Sequence, residues 1–142
     1  MATRRGAKQA RKLGLDEGSR VLLVGAPPAW SLADPPTGVE VVRLSMPLSP
    51  DGAADHGAAD VTILFVREAE ELVAALDALA ASRARLSTLW ICWPRRAGGH
   101  GSDLTDGVVR SAGLALGLVD NKVAAVDADW SGLRFVRRRE RR

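Results

Sequence analysis

The chain has 142 residues, a net charge of +3 and one cysteine, Cys92. That length suits a single domain able to bury about two-thirds of its unfolded surface, and the lone thiol excludes an intramolecular disulfide and a cysteine-rich zinc site. No apolar run approaches the ~20 residues a membrane helix needs, and the first residues, Met1 to Lys8, are polar and basic. The expectation is a cytoplasmic protein with no membrane contact. Abundant alanine and arginine suggest a GC-rich bacterial source.

Charge is unevenly spread. Residues 1–20 carry six Lys or Arg against Asp16 and Glu17, and residues 134–142 carry six Arg against Glu140, so the ends hold +4 and +5. Subtracting both from +3 leaves −6 on residues 21–133. Such ends can keep a small domain soluble, or meet nucleic acid. No aromatic is interleaved among them for base stacking, which disfavours the second use. Residues 1–14 and 137–142 are read as flexible basic tails on one domain spanning 1–142.

Residues 7–15 allow a short helix before the turn Asp16-Glu17-Gly18-Ser19. Arg20 to Gly25 is an apolar, β-branched run of the kind buried on both faces of a parallel sheet, and Ala26-Pro27-Pro28 stops it. Val39–Leu44 and Val61–Val66 predict the second and third strands. The stretches between these strands offer a turn near Ala29-Trp30-Ser31-Leu32 but no helix, a departure from regular βαβ units. The loop 45–60 is a candidate for mobility or for a functional lid. A helix then follows, with Glu68, Glu70 and Glu71 in its first turn, Arg83 and Arg85 in its last, and Leu72, Leu76 and Leu79 at helical spacing.

Leu86–Trp93 is the fourth strand, closed by Pro94. A Gly-rich loop leads to Ser102 or Asp103 as the cap of a helix striped by Leu104, Val108, Ala112 and Ala115 and ended by Gly117. Val123–Val126 and Leu133–Val136, flanking Trp130-Ser131-Gly132, predict an antiparallel hairpin turning at those three residues. The fold class is therefore α/β: a three-layer-like domain with a mostly parallel, Rossmann-like sheet of five to six strands, closed by that hairpin, with the first strand central.

Several blocks resemble a known bacterial family. Gly18 to Pro27, Leu89 to Arg95, Ser102-Asp103-Leu104-Thr105, and Gly117 to Val123 through Trp130 to Phe135 are similar to the domain of unknown function 3052. The resemblance spans the first strand almost to the C-terminus and implies no activity, cofactor or catalytic residue. Leu15 to Gly25 is also similar to the strand that opens class I methyltransferases, which runs into a Gly-rich loop around S-adenosylmethionine. In those enzymes the next strand ends in an acid that binds the ribose. Here Pro27 and Pro28 replace glycines and the second strand ends at Arg43-Leu44, so both departures count against that cofactor.

The sharpest candidate site is an anion pocket. The loop after Pro94 should leave the carboxyl end of a strand and meet a helix N-terminus, with Arg95, Arg96, His100, Ser102 and Thr105 as donors. The loop from Gly25 should open on the same edge, with Trp30 as a wall. Against this reading, Asp103 can serve only as a helix cap. Cys92, between Ile91 and Trp93, reads as a core residue. His56 and His100 lack ligand spacing, so no metal is expected, and no cofactor is named. Asp127 and Asp129 can do acid–base work or hold a cation, but pairing with Arg134 or Arg137 is favoured. Trp90 and Trp93, three apart, should face opposite sides of the sheet. Trp130, at the hairpin lip, is a candidate anchor for a protein partner.

No complete catalytic group is visible. The leading reading is a non-catalytic binding or regulatory module that contacts a protein partner, a second copy of itself, or a small anion. The alternatives are a Rossmann-like enzyme or nucleotide or cofactor binder using loops 25–32 and 94–105, and nucleic-acid binding through the arginine tails.

Overall fold

Val21 to Val24 has no polar residue, and all four side chains are buried. Such a run is stable only where both faces of a strand are covered, and the structure provides that cover. The computed structural model describes residues 4–49, 51, 59–82, 88–95 and 102–137. Its elements are α1 (Arg4–Leu13), β1 (Arg20–Val24), β2 (Glu40–Leu44), β3 (Val61–Phe65), α2 (Ala69–Ser82), β4 (Thr88–Pro94), α3 (Asp106–Ala115), β5 (Leu118–Ala125) and β6 (Trp130–Arg137).

One sheet takes all six strands in the order β2-β1-β3-β4-β6-β5. β2, β1, β3 and β4 are parallel, while β6 runs antiparallel between β4 and β5. The expected α/β class, the parallel core and the closing hairpin are all present. β1 is interior but second from the edge, not central.

Alternation along the strands divides the core into two layers. Leu22, Val24, Leu64, Ile91, Trp93 and Phe135 share a layer with Leu72 and Leu79 of α2 and Val109 of α3. Val21, Leu23, Ile63, Phe65, Trp90 and Cys92 face the other layer, with Ala10 and Leu13 of α1. Trp90 and Trp93 thus do face opposite sides of the sheet. α1 corrects the expectation of a flexible tail over 1–14: residues 4–13 form a helix whose Ala10 and Leu13 are buried. Arg137 likewise belongs to β6.

The hairpin turn also differs from expectation. Trp130, Ser131 and Gly132 lie inside β6, opposite Pro94, Trp93 and Cys92 of β4. The chain turns earlier, at residues 126–129, because the Asp127 carboxylate accepts from the N–H groups of Asp129 (2.8 Å) and Trp130 (3.0 Å). Gly132 is needed for packing: a Cβ there would lie 2.8 Å from Val126 and 3.0 Å from the Trp90 ring. Arg83 and Arg85, expected at the end of α2, lie outside the described residues. No helix among the described residues is long and apolar enough to cross a membrane.

Candidate functional site

The order of the strands reverses at β1: the chain steps outward to β2, then crosses back past β1 to β3. Ligands of open α/β sheets bind outside the carboxyl ends of strands at such a reversal. β1 ends there on Gly25, at φ +71, a left-handed conformation that favours glycine. A Cβ on Gly25 would meet Met46 Cγ and the Phe65 carbonyl oxygen, each at 2.8 Å. The Gly25 N–H donates to Leu44 O at 2.9 Å, tying the end of β1 to the end of β2.

Arg43 reaches from β2 over the loop that follows Gly25. Its Nη1 donates to Trp30 O (2.9 Å) and its Nη2 to Pro27 O (3.0 Å). Beneath lies a cavity of about 370 Å³, walled by Leu23, Gly25, Pro28, Leu44 and Met46 and edged by Arg43, Ser45 and Arg67. Among the described residues, two guanidinium groups line it and no carboxylate does.

A second cavity of about 590 Å³ opens between the end of β4, the start of α3 and the hairpin, against Trp93, Arg95, Thr105, Asp106, Val123 and Ser131. An aromatic group packs on the β1–β3–β4 side of the sheet that faces α1. Trp30 packs edge-on against Phe65 at 4.8 Å, Phe65 meets Trp130 at 5.0 Å and 90°, and Arg67 lies over the Trp130 ring at 5.4 Å.

The described residues of the expected pocket line two different cavities. Gly25 belongs to the first cavity, Arg95 and Thr105 to the second. Trp30 is a part-buried core contact, held by Nε1 donating to Asp127 Oδ2 at 2.8 Å. Arg95 supports the hairpin, its N–H donating to Asp129 O (2.8 Å) and its Nη1 to Asp127 O (3.1 Å). Thr105, not Ser102 or Asp103, caps α3, its Oγ1 accepting from Val108 N at 3.2 Å. Ser102 and Asp103 instead grip the start of α2: Ser102 Oγ donates to Arg67 O (2.7 Å), and Asp103 Oδ1 accepts from Ala69 N (2.9 Å). Arg96 and His100, with His56, lie outside the described residues.

Trp130 requires a correction. It is 7 % exposed, enclosed by Phe65 and Arg67, and presents no surface to a partner. Position in β6 rather than at a turn explains the difference. The favoured pairing of Asp127 with arginine side chains is likewise replaced by its bonds to Trp30 and the turn. Burial pushes the Cys92 thiol well up, and the nearby Asp127 carboxylate adds to the effect. Cys92 is accordingly a core residue, not a nucleophile. Arg43, Arg67 and Met46, which frame the first cavity, were not singled out in the sequence. Only the strand end at Arg43-Leu44 hinted that a cation stands there.

No family model matches the chain, and no curated protein matches it. Solved structures do. A SAM-dependent methyltransferase from Aquifex aeolicus superposes with a TM-score of 0.58 at 15% identity, covering 92% of this chain and 88% of that one. Magnesium protoporphyrin IX methyltransferase from Synechocystis PCC 6803, with bound SAM, gives 0.57 at 14% identity, covering 94% and 76%. A putative tRNA (m1A22) methyltransferase from Streptococcus pneumoniae gives 0.57 at 12% identity, covering 99% and 72%. At these identities the likeness is one of fold. The chain has a Rossmann-like fold of the kind seen in methyltransferases.

Proposed function

We propose that the chain is a small-ligand-binding protein on a methyltransferase-like Rossmann fold, holding its ligand in the cavity at the carboxyl ends of β1, β2 and β3. The observation that carries this reading is the position of that cavity at the reversal of strand order, lined from three strand ends, two of which supply polar side chains.

The fold neighbours raise S-adenosylmethionine as the ligand, and the residues present do not fit it. Pro27 and Pro28 have no N–H to offer, and the carbonyls of Pro27 and Trp30 already accept from Arg43. Met46 occupies the space over Gly25 into which a ligand would settle. Among the described residues no carboxylate lines the cavity, and Arg43 and Arg67 would face a sulfonium cation with like charge. The reading is thus one of binding, with no methyl transfer. It favours the cofactor or nucleotide class over a protein-docking module, since burial of Trp130 removes the anchor that a docking module needed. The resemblance to the domain of unknown function 3052 adds no activity to it.

A thermal-shift screen of the purified chain against nucleotides, S-adenosylmethionine, S-adenosylhomocysteine and organic phosphates tests the reading. A ligand at a hundred times its Kd should add about 2.7 kcal/mol to the folded state. The exposed Ser45, changed to Trp, should fill the cavity and abolish the effect while leaving the apo melting point nearly unchanged. Silence across the panel, or a hit indifferent to Ser45→Trp, would sink the proposal. A strong S-adenosylmethionine response would move the reading to methyl transfer.

A further inference from the structure

We infer that the cavity over β1 and β2 selects an organic oxyanion, a phosphate or carboxylate group borne on a compact apolar body. This rests on the ligand-binding reading above and specifies its chemistry.

Charge makes the first part of the case. Arg43 and Arg67 both line the cavity, and among the described residues no carboxylate does. Arg43 is held in place by two carbonyl oxygens, which use two of its five N–H groups and leave its positive charge uncancelled. The preorganised fork remains available for an oxyanion. Arg67 is exposed; among the described residues its guanidinium rests on the face of Trp130 and meets no carboxylate. A surface cation–π contact is weak, so Arg67 can exchange it for an anion at little loss.

Arg67 is nonetheless well positioned at its base. Its carbonyl accepts from Ser102 Oγ at 2.7 Å, and its N–H donates to Glu71 Oε1 at 2.9 Å. The backbone is thus held from both sides while the guanidinium is left to move. Arg43 is the fixed half of the anion site and Arg67 the mobile half.

Size and lining make the second part. About 370 Å³ is far more than a bare phosphate fills, and lies at the lower end of pockets that enclose organic ligands. Leu23, Leu44, Met46 and Pro28 supply an apolar wall opposite the arginines. The thioether chain of Met46 is adaptable and can shift to fit a flat or branched body. An inorganic anion would leave this wall without a partner.

Isothermal titration of the full chain with matched pairs tests the inference: AMP against adenosine, phenyl phosphate and benzoate against phenol, with inorganic phosphate and S-adenosylmethionine alongside. The charged member of at least one pair should bind tenfold or more tighter than its neutral counterpart, and tighter than inorganic phosphate. Arg67→Gln should weaken that anion by about ten- to hundredfold and leave the neutral counterpart unchanged. Arg11→Gln, a charge removed from exposed α1, should change neither. Neutral members binding as well as charged ones, inorganic phosphate binding as tightly as the organic anion, or an anion preference that survives Arg67→Gln, would each overturn this inference while leaving the ligand-binding reading in place. Absence of binding by every probe, charged and neutral, would overturn both.

Discussion

Asp103 and Ala69, 34 residues apart in sequence, are joined by a 2.9 Å hydrogen bond from the Ala69 N–H to Asp103 Oδ1. A residue that leads into α3 thereby satisfies an N–H in the first turn of α2, where the helix has no partner of its own. The negative charge also stands at the positive end of that helix. Asp103→Ala should cost about 0.5–2 kcal/mol, the range for a lost helix cap, read as a lower urea midpoint at unchanged slope. Asp103→Asn, which keeps the acceptor, should lose distinctly less.

The carboxylate of Asp127 joins three N–H groups, those of the Trp30 indole, Asp129 and Trp130. Asp127→Ala removes a charged acceptor and should destabilise the chain by about 1–3 kcal/mol. Trp30→Phe breaks just the indole bond and should cost less. Urea unfolding followed by circular dichroism, which does not depend on Trp30 as the probe, separates the two.

Gly113 of α3 lies against the Phe135 ring, and a Cβ there would overlap Cε1, Cδ1 and Cζ of that ring. Gly113→Ala should therefore destabilise by about 1–3 kcal/mol despite its better helix propensity. In a Phe135→Leu background the same substitution should cost much less, because the ring it strikes is gone. A double-mutant cycle showing equal costs in both backgrounds would contradict the overlap.

Cys92 is fully buried, and its thiol stays protonated in the folded chain well above the ordinary range. An unfolded thiol titrates near pH 8.5. Above that pH the unfolded state releases a proton that the folded state keeps, so stability should fall by up to about 1.4 kcal/mol per pH unit. Below about pH 8.5 the contribution is complete. Cys92→Ala should lack this extra alkaline slope, measured as the difference between the two proteins. Iodoacetamide at pH 8 should label Cys92 only when urea unfolds the chain.

The parts of the fold legible in the sequence are those encoded by neighbours. Val21–Val24 is an uninterrupted apolar run and Val61–Phe65 is broken only by Thr62, the pattern of strands in a sheet covered on both faces. Gly117 ends α3 at φ +84, as a local terminator should. The parts that were not legible depend on distant partners. Trp130-Ser131-Gly132 has the composition of a turn, yet Gly132 is small because the Trp90 ring and Val126 press on it. Ser102 and Asp103 have the composition of a cap for the helix after them, and they serve the helix before them. The candidate site suffered similarly. The meeting of Trp30, Phe65 and Trp130, residues up to 100 positions apart, could not be read from the sequence. Arg43 could be placed at a strand end, but its grip on Pro27 and Trp30 could not be read from spacing.

The seat of α1 has a consequence for how the chain comes to be made. Gln9 Nε2 and Lys12 Nζ donate to the carbonyls of Val126 and Ala125, Lys122 Nζ returns a bond to Lys12 O, and the Trp90 indole donates to Leu13 O. The long-range hydrogen-bond partners of this helix lie between 24 and 117 residues further along the chain, from Ala33, whose N–H donates to Gln9 Oε1, to Val126. Short helices are marginal in water, so α1 depends on these partners, and Ala10 and Leu13 stay exposed until the face of β1 and β3 that they cover has formed. The contacts of α1 with Val126 and Ala125 can form only once the β5–β6 hairpin stands beside β4.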